Sequence, residues 1–173
     1  MNELDEVWTQ MINEAAARAR SDGRGDVAEY LTLKATNDAI RTQSVEWLLD
    51  SMRAIASFAN QNGAGVTIEN ENPHRFAFKN ANLVGSLVRL RQGVRCLSVE
   101  AGWTRTPTDG FMRGGALACA RITHFGLSRH NAELLLIRSN DLPNWFSVTE
   151  DGKRDIFDSR HLNEHFQVFV SEV

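Results

Sequence analysis

Cysteine and proline are both scarce in this chain, which has two cysteines and three prolines in 173 residues. Two cysteines build no disulfide framework. Cys96 and Cys119 both fall inside apolar, strand-like runs, where a free thiol packs as a small hydrophobe. Long apolar runs are missing too: stretches such as Leu134-Leu135-Leu136-Ile137 are far shorter than a bilayer requires. The opening MNELDEVWTQ shows neither the basic segment nor the apolar segment of a signal peptide. N-x-S/T acceptor sites do not occur. A cytoplasmic protein without a membrane partner is the expectation. Also absent are G-x-G-x-x-G, a Walker loop, C-x-x-C and an EF-hand loop, so no cofactor is expected. Lysine is rare, with 3 against 16 arginines, and arginine is the better bidentate partner for anions.

What is present is an ordinary globular composition, 42% hydrophobic and 24% charged. A chain of this length buries enough surface to fold without staples. Residues 3 to 20 place Leu4, Val7, Trp8, Met11, Ile12, Ala15, Ala16 and Ala19 at helical spacing, behind the first-turn acids Glu3, Asp5 and Glu6. Ser21-Asp22-Gly23-Arg24-Gly25 interrupts this helix. Asp26 opens a second helix toward Ile40, and Ser44 a third through Val45, Leu48, Leu49, Met52, Ile55, Ala56 and Phe58. Thr42-Gln43 is a weak breaker, which leaves open whether these two are one rod.

From Gly65 the periodicity turns to that of strands. Val66–Asn70, His74–Lys79, Leu83–Arg91 and Val94–Arg105 read as successive strands, followed by Ala116–Phe125 and Ala132–Ser139. Trp145–Thr149 and Lys153–Phe157 form a hairpin around Asp151-Gly152 that sets Phe146 opposite Phe157, and Phe166–Val170 reads as a last strand. With Gln92-Gly93 as a two-residue turn, Arg91 faces Val94 and Val88 faces Leu97. Val84, Val88, Leu90, Leu97, Val99, Ala101 and Trp103 then share one face, and Leu87, Arg89, Arg91, Cys96, Ser98 and Glu100 the other. The predicted fold is α+β: N-terminal amphipathic helices packed in one layer on a mainly antiparallel sheet of about seven or eight strands, as a roll, a sandwich or a partly closed barrel. The expected organisation is one domain over residues 1–173, helical over 1–62 and sheet over 63–173.

Charge is segregated along the chain. Residues 1–71 carry −6, residues 72–140 carry +7 and residues 141–173 carry −4. The basic middle holds Arg75, Lys79, Arg89, Arg91, Arg95, Arg105, Arg113, Arg121, Arg129 and Arg138, with Trp103, Phe111 and Phe125 nearby. Such a surface suits an anionic ligand, an acidic protein partner or a nucleic acid. The competing reading is neutralisation by the acidic segments, within the fold or across a dimer. A pI near 5.9 disfavours a dedicated nucleic-acid binder. Arg89, Arg91, Arg95, Trp103 and Arg105 are the candidate binding residues, and no catalytic residue is assigned.

His161-Leu162-Asn163-Glu164-His165 matches H-x-x-E-H, so His161 and His165 are an alternative metal pair. A third ligand would come from His74, His124 or His130; the plainer reading is a short turn capped by Asp158 or Ser159. His124, His130 and Glu133 beside Ser128 allow acid–base work, yet loop residues of these types are usually just solvated. The preferred function is a non-catalytic binding or interaction module that self-associates as a homo-oligomer. The alternatives are a small enzyme acting on an anionic substrate and a nucleic-acid-binding module.

Overall fold

The computed structural model describes residues 3–171, with the side chains of residues 3–5 and of Arg113 outside the described set; the expected roles of Glu3, Leu4, Asp5 and Arg113 fall there. The fold is α+β: α1 (Glu3–Ser21), α2 (Gly25–Gln61), a sheet of seven antiparallel strands, and a C-terminal α3 (Ser159–Val170). Two compact units divide the chain at Thr42/Gln43. No helix among the described residues is long and apolar enough to cross a membrane.

In the first unit, the Asp22–Gly23 turn joins α1 to the beginning of α2, with the Arg24 amide donating to the Ala19 carbonyl. Ile12 and Ala16 of α1 and Ala28 of α2 are buried. The Arg20 guanidinium donates to Thr32 Oγ1 at 3.1 Å, and Lys34 Nζ lies 5.5 Å from the centre of the Trp8 ring. Val7, Trp8, Met11, Tyr30 and Leu33 are exposed, so the apolar stripe expected along the first helix is only partly covered. Thr42-Gln43 does not interrupt α2, which runs as one helix of 37 residues. Neither residue carries the Gly or Pro needed to end a helix firmly.

The second unit is built on the meander β1 (Thr67–Phe78), β2 (Ala81–Gln92), β3 (Arg95–Trp103), β4 (Ala118–His124), β5 (Ala132–Ser139), β6 (Leu142–Val148) and β7 (Arg154–Phe157), each strand paired with the next. The sheet is open. The two runs expected on either side of Asn72-Pro73 are one strand, β1, whose register shifts between Glu71 and His74.

In the β2–β3 hairpin Val88 pairs with Val99, Leu90 with Leu97 and Gln92 with Arg95. The turn is therefore Gly93-Val94, with Gly93 at φ 59°, and not Gln92-Gly93. The register has moved by two residues, one full pleat repeat, so the expected faces survive intact. At β6–β7 the slip is one residue. Trp145 pairs with Phe157, and Phe146 pairs with Ile156, which puts Phe146 and Phe157 on opposite faces.

One face of the sheet carries Val88, Leu90, Leu97, Val99, Ala101, Ala120, Ile122, Leu134, Leu136, Trp145 and Phe157, all buried. The later part of α2 covers it with buried Val45, Leu48, Leu49, Met52 and Ala56. This segment is tied across the sheet. The Trp145 indole N–H donates to the Ser44 carbonyl at 3.1 Å, and Arg53 Nε donates to Asn70 Oδ1 at 2.6 Å.

The last segment, expected as a strand over Phe166–Val170, is the helix α3, whose Leu162, Phe166 and Phe169 are buried at four- and three-residue spacing. Asp158 caps it, its carboxylate accepting from the Arg160 and His161 amides. Arg95 reaches from β3 to the Phe169 carbonyl near the C-terminal end of α3, at 3.3 Å.

The later part of α2 and the helix α3 make their hydrogen bonds to the sheet on that buried face, and the opposite face is the open one. Its middle row is Gly85 paired with Gly102, and a Cβ added to Gly85 would stand 1.8 Å from the Ala101 carbonyl oxygen. With no side chains on that row, longer groups lie across it. Arg121 of β4 donates to the Ala77 carbonyl of β1 at 3.0 Å. Three strand spacings total roughly 14 Å in a flat sheet, more than one arginine spans, so the sheet curls toward this open face.

Candidate functional site

On the open face Phe78 of β1, Leu83 of β2, Cys119 of β4 and Leu135 of β5 point the same way and wall an apolar cavity of about 190 Å³. Val148 of β6 extends one side, and Phe111 and Met112 of the β3–β4 connection lie over it. Phe78, Leu83 and Cys119 are buried, with Met112 and Leu135 packed against them. Phe111, by contrast, is 88% exposed at the rim. The Cys119 thiol is pushed up to about 12 by burial, and the Glu133 charge adds to this against the opposing pull of Lys79. It is a protonated, unreactive wall group at neutral pH.

Lys79 and Glu133 stand at the cavity mouth as an ion pair of 2.8 Å, both partly exposed. Lys79 follows β1 at φ 52°, in the left-handed region. Arg121, the cross-strand partner of Glu133, lies 5.4 Å from the centre of the Phe78 ring and pairs with Glu100 at 3.0 Å. Arg154, opposite Val148 on β7, sets its guanidinium against the backbone of Gly114, where a Cβ would meet Nη2 at 2.5 Å.

A polar cluster adjoins the cavity. His74 Nδ1 is 2.9 Å from Glu71 Oε1, and its Nε2 is 2.8 Å from Glu100 Oε2. Both ring nitrogens face carboxylates, an arrangement that satisfies the imidazolium. Burial works against the charge, but the hydrogen bonds and charges of Glu71 and Glu100 outweigh it and raise the pKa. His74 reaches Glu100 across β2 because its direct partner there is Gly85.

The sequence candidates do not form one site. Arg89 and Arg91 lie on the open face and both pair with Glu69 of β1, at 3.3 and 3.0 Å. Desolvation is the largest single influence on the Glu69 carboxyl and raises its pKa, but the hydrogen bonds and charges of Arg91 and Arg89 together outweigh it and hold the pKa below its ordinary value. A shallow groove beside them is lined also by Val94, Cys96, Ser98, Thr123 and Phe125. Arg95 is on the helix-covered face, bonded to α3. Trp103 is buried at the far end of the hairpin, with the Arg105 guanidinium 3.8 Å from the centre of its ring. Arg89, Arg91 and Arg121 are thus answered by Glu69 and Glu100 on neighbouring strands.

The histidines of the H-x-x-E-H motif also part company. His161 Nδ1 is 2.8 Å from Asp158 Oδ1, and its ring stacks on Phe157. His165 Nδ1 is 2.9 Å from Nε2 of His124, which is buried on the helix-covered face. His130 stands nearby, its ring centre 5.9 Å from that of His124. Burial, reinforced by the neighbouring histidines, pushes both His124 and His165 down to about 4. Among the described residues no group of three or more His, Cys, Asp or Glu side chains is placed to hold a metal ion. His124, His130 and His165 are not among the residues that line the cavity.

Sequence reading missed Phe78, Lys79, Leu83, Cys119, Glu133 and Leu135 as a group. They come from different strands, and no local spacing joins them. No protein-family model, no curated protein and no solved structure matches the chain.

Proposed function

We propose that the chain is a non-catalytic binding module whose working surface is the open face of the sheet, taking a small ligand with an apolar body into the Phe78–Leu135 cavity. The observation that carries this reading is the cavity, walled by side chains of separate strands and roofed by the β3–β4 connection. An apolar pocket with a few polar groups at its edge is the usual form of a small-molecule site. The protonated Cys119 thiol and the Lys79–Glu133 pair offer position rather than reactivity. The commitment of Arg89 and Arg91 to Glu69 favours this reading over nucleic-acid binding. Titration of ¹⁵N-labelled protein with benzyl alcohol tests it. The amides of residues 78, 83, 119 and 135 should shift together and saturably, and filling the cavity with Leu135→Trp should abolish the response. Shifts scattered elsewhere would refute it.

A second reading rests on the helical unit. Val7, Trp8 and Met11 leave an apolar stripe in solvent on α1, and a second copy of the chain would cover it. Light scattering should give a mass above one chain at micromolar concentration, falling to that of one chain in Val7→Glu/Met11→Glu. A single-chain mass for the unsubstituted protein would end this reading.

A further inference from the structure

We propose that the cavity selects an anionic amphipath: a ligand with a short apolar body and a carboxylate head seated on Lys79 and Arg154. The inference rests on the binding reading above and adds the charge of the ligand to it. Size comes first. An apolar cavity of about 150 Å³ accepts benzene, so 190 Å³ holds one ring or a short acyl chain and no more. The rest of such a ligand must remain at the mouth, where the polar groups are.

The mouth and its surroundings are unevenly charged. Lys79 and Glu133 line it as a pair, Arg121 near Phe78 is paired with Glu100, and Arg154 against Gly114 adds one further cation. Arg121 already serves Glu100, whereas Arg154 makes no ion pair among the described residues. Its guanidinium is held against Gly114, two residues along the chain from Met112, which lines the cavity. An incoming carboxylate takes the Lys79 ammonium from Glu133, and Glu133 turns to its direct cross-strand neighbour Arg121. Every charge then still has a partner. A cationic head would instead compete with Lys79 for Glu133 and add positive charge on the side of Arg154, an arrangement that electrostatics opposes. Phe111, exposed at the rim, supplies the apolar cover once a ligand is seated.

A matched probe series provides the test, because the apolar body is constant and only the head changes. Hexanoate, 1-hexanol and hexylamine are titrated into the full-length protein and into Lys79→Met, Arg154→Met and the filled Leu135→Trp, with binding read from amide shifts around the cavity. Hexanoate should bind about three- to ten-fold more tightly than hexanol at low salt, and hexylamine most weakly. The preference should shrink in Arg154→Met while hexanol binding is kept, since Arg154 does not line the cavity; in Lys79→Met, which alters the lining, the ratio of hexanoate to hexanol affinity should shrink as well. Equal binding of hexanoate and hexanol, with both lost in a folded Leu135→Trp, would overturn the anionic head and leave the cavity reading standing. Tightest binding by hexylamine would overturn it as well and make Glu133 the anchor. Failure of all three probes to shift the cavity amides would bring down both this inference and the reading beneath it.

Discussion

On the helix-covered face of the sheet, His124 and His165 share one hydrogen bond and are kept neutral by burial. On the open face, His74 lies between two carboxylates that, against the effect of burial, raise its pKa. The same residue type is thus pushed in opposite directions by two sides of one sheet. The covered face removes water and repels the proton; the open face keeps some water and supplies acceptors. The consequences for stability have opposite signs. With folded pKa values near 4 against an ordinary 6.5, His124 and His165 contribute fully above about pH 6.5. Their contribution is lost as pH falls toward 4, because the unfolded chain takes up protons that the fold refuses. His74, with its pKa raised, contributes fully below about pH 6.5 and loses its contribution as pH rises through the folded value.

The contrast between the faces is most sharply tested by truncation. Leu134→Ala, fully buried under the helices, should cost about 3 kcal/mol in urea unfolding. Ile156→Ala on the open face, largely in solvent, should cost under about 1 kcal/mol. Equal costs would mean that something covers the open face in solution. Next in size is the acid limb. His165→Gln keeps a hydrogen-bonding side chain toward His124 but no longer titrates, so the stability lost between pH 6.5 and 4 should shrink by roughly 1 kcal/mol after allowance for solvent screening. An unchanged acid limb would place that proton uptake elsewhere. The smallest effect belongs to the partly exposed cluster. Glu100→Gln should lower the His74 pKa read by NMR and flatten the loss above pH 6.5, changing stability by less than about 1 kcal/mol. A His74 pKa that stays put would show Glu71 to be its main partner.

Much of the architecture was legible in the sequence, and the errors have physical causes. The β2–β3 faces came out right although the turn was misplaced, because a slip of two residues restores the pleat. At β6–β7 a slip of one residue exchanged the faces and mispaired Phe146. Phe166–Val170 reads as a strand because its aromatic and valine residues have strong β preference. The capping aspartate at 158 and the spacing of Leu162, Phe166 and Phe169 carried the helical signal over a longer window. The charge blocks misled in another way. Glu69, counted with the acidic residues 1–71, sits on the strand beside Arg89 and Arg91. The cavity was not legible at all, since the adjacency of Phe78, Leu83, Cys119 and Leu135 is set by pairing across the sheet and by no spacing along the chain.

The Gly85–Gly102 row has a consequence for experiments that locate function by removing side chains. Alanine scanning subtracts atoms everywhere except at glycine, where it adds one. At Gly85 the added methyl would run into the Ala101 carbonyl, and the backbone would have to move. That shift would loosen the path by which His74 reaches Glu100 and Arg121 reaches Ala77. The two positions with nothing to remove are the ones on which the span of the open face depends, and subtraction is blind to them.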